Sequence, residues 1–300
     1  MKVTVIEPLN VDMTEVKNMF KEKGIDFVVY ETKAKDANEL YERAKDSDVL
    51  VIANTKFPNE VLEKLEKTKY ISIAFTGFDH IDVEKAKSMG IVVSNSRGYS
   101  DICVAELVIG QVLNIYRELN KRGVHSGYEI YGKTVGIIGY GNIGQRVSKL
   151  FSSFGASTIY YDPHQVGTST LEEVLRRSDI LTLHMPLNKE TENFMNYDKL
   201  RLLKPTAILI NTARPSVLNT NDLARILKEK RIYAVALDVF NNYDLLKEYD
   251  NVFVTDHIAY LTHESMVRRL KICIDNVIQY IDGNIPVSYT HLTLPTKRIV

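Results

Sequence analysis

Residues 131–163, YGKTVGIIGYGNIGQRVSKLFSSFGASTIYYDP, restrict the fold of this chain more than any other stretch. Residues 134–138 are a β-branched, apolar run that reads as a buried parallel strand. The run ends in Gly139-Tyr140-Gly141-Asn142-Ile143-Gly144, a G-x-G-x-x-G pattern. A helix is expected from Asn142 to about Phe154, because Ile143, Val147, Leu150, Phe151 and Phe154 recur at helical spacing. Gly155 stops that helix, residues 157–161 form the next strand, and Asp162 closes it.

Each part has a physical task. Gly139 permits the tight strand-to-helix turn, Gly141 lets a pyrophosphate approach the backbone, and Gly144 lets helix and strand pack closely. The amides at the helix start, from Asn142 and Ile143, can bind the phosphate anions. Asp162 stands eighteen residues after Gly144, where a carboxylate accepts both ribose hydroxyls. It would repel a 2′-phosphate, so NAD is expected rather than NADP. Read alone, Asp162-Pro163 is an ordinary turn; the ordered strand, glycines, helix, strand and acid give it a ligand.

Three hundred residues suggest two domains. Apolar residues make up 45% and charged ones 25%, enough for a large core. Acids and bases balance at 38 each, so no net field attracts nucleic acid or an anionic membrane. Cys103 and Cys273 lie far apart, show no metal or redox spacing, and read as core thiols in a reducing compartment. No apolar run reaches membrane-spanning length, and the N-terminal MKVTVIEP is already a strand. A cytoplasmic enzyme or binding protein is expected.

Residues 1–98 alternate strand and helix, which implies a parallel sheet covered on both faces. Strands are expected at 2–7, 26–30, 48–53, 70–75 and 91–94, with helices at 13–23, 37–44, 59–67 and 83–89. Ligands of such sheets bind beyond the carboxyl ends of the strands. That selects Asn54-Thr55-Lys56, the Thr76–His80 segment with Gly77 and Phe78, and Asn95-Ser96-Arg97-Gly98. A long helix over 100–122 reads as a connector between two lobes. After the glycine unit, strands are expected at 180–184, 207–211, 233–237 and 252–255, and helices at 197–203, 220–229 and 264–280.

Arg214 and His257 both follow strands of the glycine-bearing lobe. Reduction of a 2-keto acid needs a hydride donor, a cation for the carboxylate and a proton donor for the carbonyl oxygen. A nicotinamide supplies the first. A planar guanidinium supplies the second, and an imidazolium the third. Taken singly, each residue would read as an ordinary surface or structural side chain.

The chain resembles the D-2-hydroxyacid dehydrogenase family over about residues 45–285. The resemblance rests on Thr76-Gly77-Phe78-Asp79-His80-Ile81-Asp82, Val104-Ala105-Glu106-Leu107 and the Gly132–Gly144 stretch. It rests equally on His184-Met185-Pro186-Leu187, Asn211-Thr212-Ala213-Arg214, Ala236-Leu237-Asp238-Val239-Phe240 and His257-Ile258-Ala259. It implies two doubly wound α/β lobes, a Rossmann dinucleotide-binding domain (99–263) inserted into a flavodoxin-like substrate domain (1–98 plus 264–285). It implies Arg214 as substrate anchor and His257 as acid/base. Asn54, Gly77 and Phe78 are the expected substrate contacts. The expected NAD contacts are Gly139, Gly141, Asn142, Ile143, Gly144, Asp162, His184, Thr212 and Asp238. A homodimer paired through the cofactor lobe is also implied.

Three departures from the family pattern stand out. Five residues after Asp238, where the family carries a catalytic Glu, this chain has Tyr243. Asp244 or Glu248 would replace it only if the loop folds back, and without a carboxylate partner His257 should hold its proton less tightly. Pro215 follows Arg214 and biases it toward extended backbone. Residues 286–300, PVSYTHLTLPTKRIV, read as an aberrant tail, a sequencing or cloning scar. The expected activity is NAD-dependent interconversion of a small 2-keto acid and its D-2-hydroxy acid. The alternative is a catalytically weakened NAD(H)-binding or sensing protein of the same fold.

Overall fold

The structure is a computed structural model that describes residues 1–119, 122, 123, 126–284 and 286. The expected aberrant tail, Pro286 apart, lies outside the described residues. In chain order the elements begin β1 (Lys2–Val5), α1 (Thr14–Glu22), β2 (Asp26–Val29), α2 (Ala37–Ala44), β3 (Val49–Ile52) and α3 (Asn59–Leu62). They continue with β4 (Tyr70–Ile73), α4 (Val83–Ser88), β5 (Val92–Asn95), α5 (Asp101–Arg117), β6 (Thr134–Ile138) and α6 (Asn142–Ser153). Next come β7 (Ser157–Tyr161), α7 (Leu171–Arg177), β8 (Ile180–Leu183), α8 (Tyr197–Leu200), β9 (Ile208–Asn211) and α9 (Thr220–Lys228). The series closes with β10 (Ala234–Leu237), β11 (Val252–Val254) and α10 (His263–Ile281).

The chain divides into two units. One is Met1–Ser100 together with the chain from Thr262 onward; the other is Asp101–Leu261. The first carries a parallel sheet in the order β2-β1-β3-β4-β5, the order of flavodoxin-like doubly wound sheets. The second carries six strands in the order β11-β10-β9-β8-β6-β7, again all parallel. The expected fold, two doubly wound α/β lobes, is what the structure shows. Strands β3, β4, β8, β9 and β10 are buried at every position, as strands covered on both faces must be.

Parallel strands place all their carboxyl ends on one edge of each sheet. The order reverses at β1/β3 in the first unit and at β6/β8 in the second, and such switch points open the crevice that receives ligands. In the second unit that point lies beside Gly139 and His184.

Three helical boundaries depart from the sequence reading, and one helix is additional to it. The long helix α5 ends at Arg117 and not at 122, because Glu118 turns left-handed at φ 48°. The Tyr128 N–H then donates to the Tyr116 carbonyl at 2.8 Å. Helices α3 and α8 are single turns that tighten into three-residue hydrogen bonds, such as Leu65 N–H to Leu62 O and Leu203 N–H to Leu200 O. Pro205 disfavours any helical continuation of α8 through Lys204. Helix α7 was not anticipated. Its signal is Thr170, whose side chain caps the Glu173 N–H, followed by buried Val174 and Leu175.

Helix α6 presses Val147 and Phe151, both fully buried, onto a cluster with Val135, Ile137 and Ile180. Phe151→Ala should destabilise the protein by about 3–5 kcal/mol through lost transfer energy and a residual cavity. A denaturant midpoint equal to wild type would show that Phe151 contributes nothing to that core.

Candidate active site

The glycine turn is built by exclusion of side chains. Gly139 sits at φ +91°, and a Cβ there would lie 2.7 Å from the His184 carbonyl carbon and oxygen. A Cβ on Gly144 would lie 2.2 Å from the Gly139 oxygen, so the first turn of α6 rests on the end of β6. Around Gly141 a Cβ would meet nothing within 4 Å. No side chain caps α6, which leaves the first-turn amides, those of Asn142 and Ile143 among them, to a ligand. The Tyr140 ring is stacked on Tyr160, with centroids 3.7 Å apart and planes 8° from parallel.

Asp162 stands at the end of β7. One carboxylate oxygen accepts the Tyr140 N–H at 2.8 Å and the other the His164 N–H at 2.9 Å. Each oxygen keeps lone-pair capacity for a ribose hydroxyl. The Thr212 hydroxyl, just past β9, is buried without a hydrogen-bond partner, and a buried orphan of this kind marks a place for a ligand group. His184 follows β8, with its Nε2 2.9 Å from the Thr182 hydroxyl. Burial pushes its imidazole down to about 3, so it offers hydrogen bonding and no charge at neutral pH. The open glycine, uncapped amides, carboxylate and orphan hydroxyl together fit a dinucleotide.

Further along the same sheet edge, two buried polar side chains shape the loops after β9 and β10. Asn211 is fully buried; its Oδ1 accepts the Ala213 N–H and its Nδ2 donates to the Arg214 carbonyl, both at 3.0 Å. Arg214 is therefore clasped in a short turn. Its backbone is extended, φ −139° and ψ 148°, as the following Pro215 requires, and Pro215 opens a 3-10 turn. One guanidinium nitrogen donates to the Ala213 carbonyl at 2.9 Å.

Asp238, also fully buried, gathers the loop after β11. Its Oδ1 accepts the Thr255 hydroxyl at 2.7 Å and the Ile258 N–H at 2.8 Å, and its Oδ2 accepts the Ala259 N–H at 3.0 Å. The Asp238 carbonyl accepts the His257 N–H at 2.8 Å. His257 thus stands exposed at the crest of a loop wrapped around one carboxylate, in the left-handed region at φ 54°. The Tyr260 ring meets its imidazole edge-on, with centroids 5.5 Å apart. Sequence reasoning gave Asp238 to the cofactor and missed this second task, for which no local pattern exists: the donors come from residues 255–259.

Asp244 and Glu248, the two carboxylates that would replace the family's Glu if the loop folds back, both lie on an exposed segment. Tyr243 opens a 3-10 turn anchored by buried Leu246, and Asp244 turns to Lys247, three residues on, at 2.7 Å. Glu248 is exposed. Asn241 and Asn242 instead wall a polar cavity of about 380 Å³ with Ser216, Asn219 and Thr220.

In the first unit, Asn54 is exposed and its Oδ1 accepts from the Lys33 ammonium at 3.1 Å. Gly77 and Phe78 are half-buried, and Phe78 packs against the core around Ile71 and Ile73. The preceding Thr76 carbonyl accepts from the Asn95 amide at 2.7 Å, while the Thr76 hydroxyl is buried without a partner. Lys33 was not singled out in the sequence, since it lies remote from the Asn54 loop along the chain.

The profile of the D-isomer specific 2-hydroxyacid dehydrogenase NAD binding domain matches residues 109–259. A glyoxylate reductase of Thermofilum pendens is 35% identical over 295 residues, covering 87% of this chain and 87% of its own. Among solved structures, an acyclic imino acid reductase in complex with NADPH and D-Arg superposes with a TM-score of 0.90 at 29% identity, covering 96% of this chain and 99% of that one. The NAD+-bound 3-phosphoglycerate dehydrogenase of Entamoeba histolytica gives 0.85 at 29% identity, covering 97% and 98%.

Two outcomes are expected. Gly141→Ala should leave thermal stability near wild type and weaken NADH binding, because only a ligand would meet the new methyl; Gly144→Ala should lower stability itself. Equal melting temperatures for the two variants would contradict this, with NADH titration reading the affinity. His184 is about 3 in the folded chain against 6.5 as its ordinary value, so the unfolded state binds more protons between those limits. Stability should therefore fall as pH drops from about 6.5 toward 3, and His184→Asn should flatten that part of the unfolding profile.

Proposed function

The chain belongs to the D-isomer-specific 2-hydroxyacid dehydrogenase family, and from that premise we propose that it reduces a small 2-keto acid with NADH, using Arg214 and His257. NAD-dependent 2-hydroxyacid oxidoreduction is the activity of the family, and NAD is its cofactor. One observation carries the residue assignment: both residues stand at the carboxyl edge of the second sheet, each set by a buried polar group at the end of a strand, Asn211 on β9 for Arg214 and Asp238 directly after β10 for His257.

When bound, NADH would supply the hydride. Arg214 holds the substrate carboxylate and polarises the carbonyl through its planar fork. Protonated His257 gives its proton to the carbonyl oxygen as the hydride reaches carbon, which leaves a neutral imidazole and a 2-hydroxy acid. In the reverse direction neutral His257 takes the alcohol proton. Asn54 and the Gly77–Phe78 backbone form the substrate contacts of the first unit. Asp162 opposes a 2′-phosphate and so favours NAD(H).

The expected substrates are glyoxylate, hydroxypyruvate or pyruvate. The polar Asn54-Thr55-Lys56 turn supports this size, as does the 35% identity to a glyoxylate reductase. Among the described residues no helix is long and apolar enough to cross a membrane. Cys103 and Cys273 are both buried and outside any disulfide, which supports a reducing, cytoplasmic setting. The proposed working form is a homodimer paired through the second unit, which exposes Tyr131 and Phe154. NAD(H) binding without turnover is the second reading, and it has one observation behind it: no carboxylate stands at Tyr243, and Asp244 is committed to Lys247.

NADH consumption against a panel of 2-keto acids separates the two. His257→Ala should abolish turnover with NADH affinity nearly intact, and Arg214→Gln should lower kcat and raise KM. Wild-type turnover by His257→Ala would remove it from the chemistry; tight NADH binding without turnover on any keto acid would select the second reading.

A further inference from the structure

Glu7 lies two residues past the end of β1 and is 1% exposed. A buried carboxylate is costly unless donors surround it. Glu7 has three, and all come from one turn: its Oε1 accepts the Ala53 N–H at 2.7 Å and the Thr55 N–H at 3.1 Å, and its Oε2 accepts the Thr55 hydroxyl at 2.7 Å. These donors bracket Asn54 on both sides. The turn after β3 is therefore fixed by a side chain from the segment that follows the neighbouring strand β1.

A second brace comes from helix α2. Arg43, 5% exposed, donates to the Ile6 carbonyl at 3.0 Å, to the Thr32 carbonyl, and to the Thr32 hydroxyl at 3.1 Å. Its guanidinium lies 4.4 Å from the centre of the Tyr30 ring. The segment after β2 is thereby held where Lys33 reaches the Asn54 side chain. An ammonium only donates, so the Asn54 atom facing it must be the amide oxygen. The orientation of the amide is decided, and its N–H groups face away from Lys33.

We propose that Glu7 is a positioning residue for the substrate: it fixes the Ala53–Thr55 turn so that the Asn54 amide N–H groups, flanked by the Lys33 ammonium, meet an oxygen of the 2-keto acid. The inference rests on the 2-keto acid reading of the function. Its mark is selectivity. Loss of Glu7 loosens a substrate contact in the first unit and leaves the glycine turn of the second untouched.

The test compares wild type, Glu7→Leu, Glu7→Gln and Thr55→Val for KM and kcat with the 2-keto acid that wild type turns over best, and for NADH affinity by fluorescence titration. Glu7→Leu should raise KM about tenfold or more with kcat changed far less, the pattern of lost binding that is not specific to the transition state. NADH affinity should match wild type. Gln can still accept both N–H groups, and its amide can donate to the Thr55 hydroxyl, so Glu7→Gln should stay within about threefold. Thr55→Val removes the side-chain bond alone and should fall between them; it carries the test if Glu7→Leu does not fold. Unchanged KM in Glu7→Leu and Thr55→Val overturns the inference, as does a parallel loss of NADH affinity or a Gln variant no better than Leu. A wild-type protein that turns over no 2-keto acid overturns the functional reading, and this inference with it.

Discussion

A carboxylate buried at the end of a strand must find donors, and each unit of this chain uses that requirement to fix a loop. Glu7, two residues past β1, draws in the turn around Asn54, and Asp238, directly after β10, draws in the loop of His257. In both cases the donors are mostly backbone amides, which have no rotamers to lose. A loop held this way keeps its shape without burying its own side chains, so its polar residues stay outward. The parallel sheets provide the edge on which these loops collect, and the buried acids decide what shape they take there.

Much of the fold could be read in the sequence because its signals are local. Every strand of both sheets was anticipated, since Val-, Ile- and Leu-rich runs such as 49–52 and 208–211 recur between helical segments. The glycine turn was equally plain: Gly139 and Gly144 are where the backbone itself leaves no room for a Cβ. Legibility failed where a structure depends on distant partners. Helix α5 looked able to run on to 122, and only the return of the chain at Tyr128 shows why it stops at Arg117. Lys33 and Asn54 meet across β1, and nothing near either residue announces it.

The 240–251 loop shows the same division. Its composition already signalled a departure, with Tyr243 where an acid was expected, but whether Asp244 or Glu248 would compensate was a question of chain path. Leu246 packs into the core, and the neighbouring Tyr243 and Asp244 face outward. The anchoring of Arg214 and His257 is unaffected, because their supports, Asn211 at the end of β9 and Asp238 directly after β10, lie outside this loop.

The left-handed backbone of His257 has a bearing on how such a chain can diverge. At φ 54° the position admits glycine and asparagine readily and resists β-branched residues. A lineage that lost the imidazole would drift toward that short set, and the loop around Asp238 would keep its shape. Cradle and scaffold can in this way outlast the reaction, leaving descendants that hold the nucleotide and no longer move a proton.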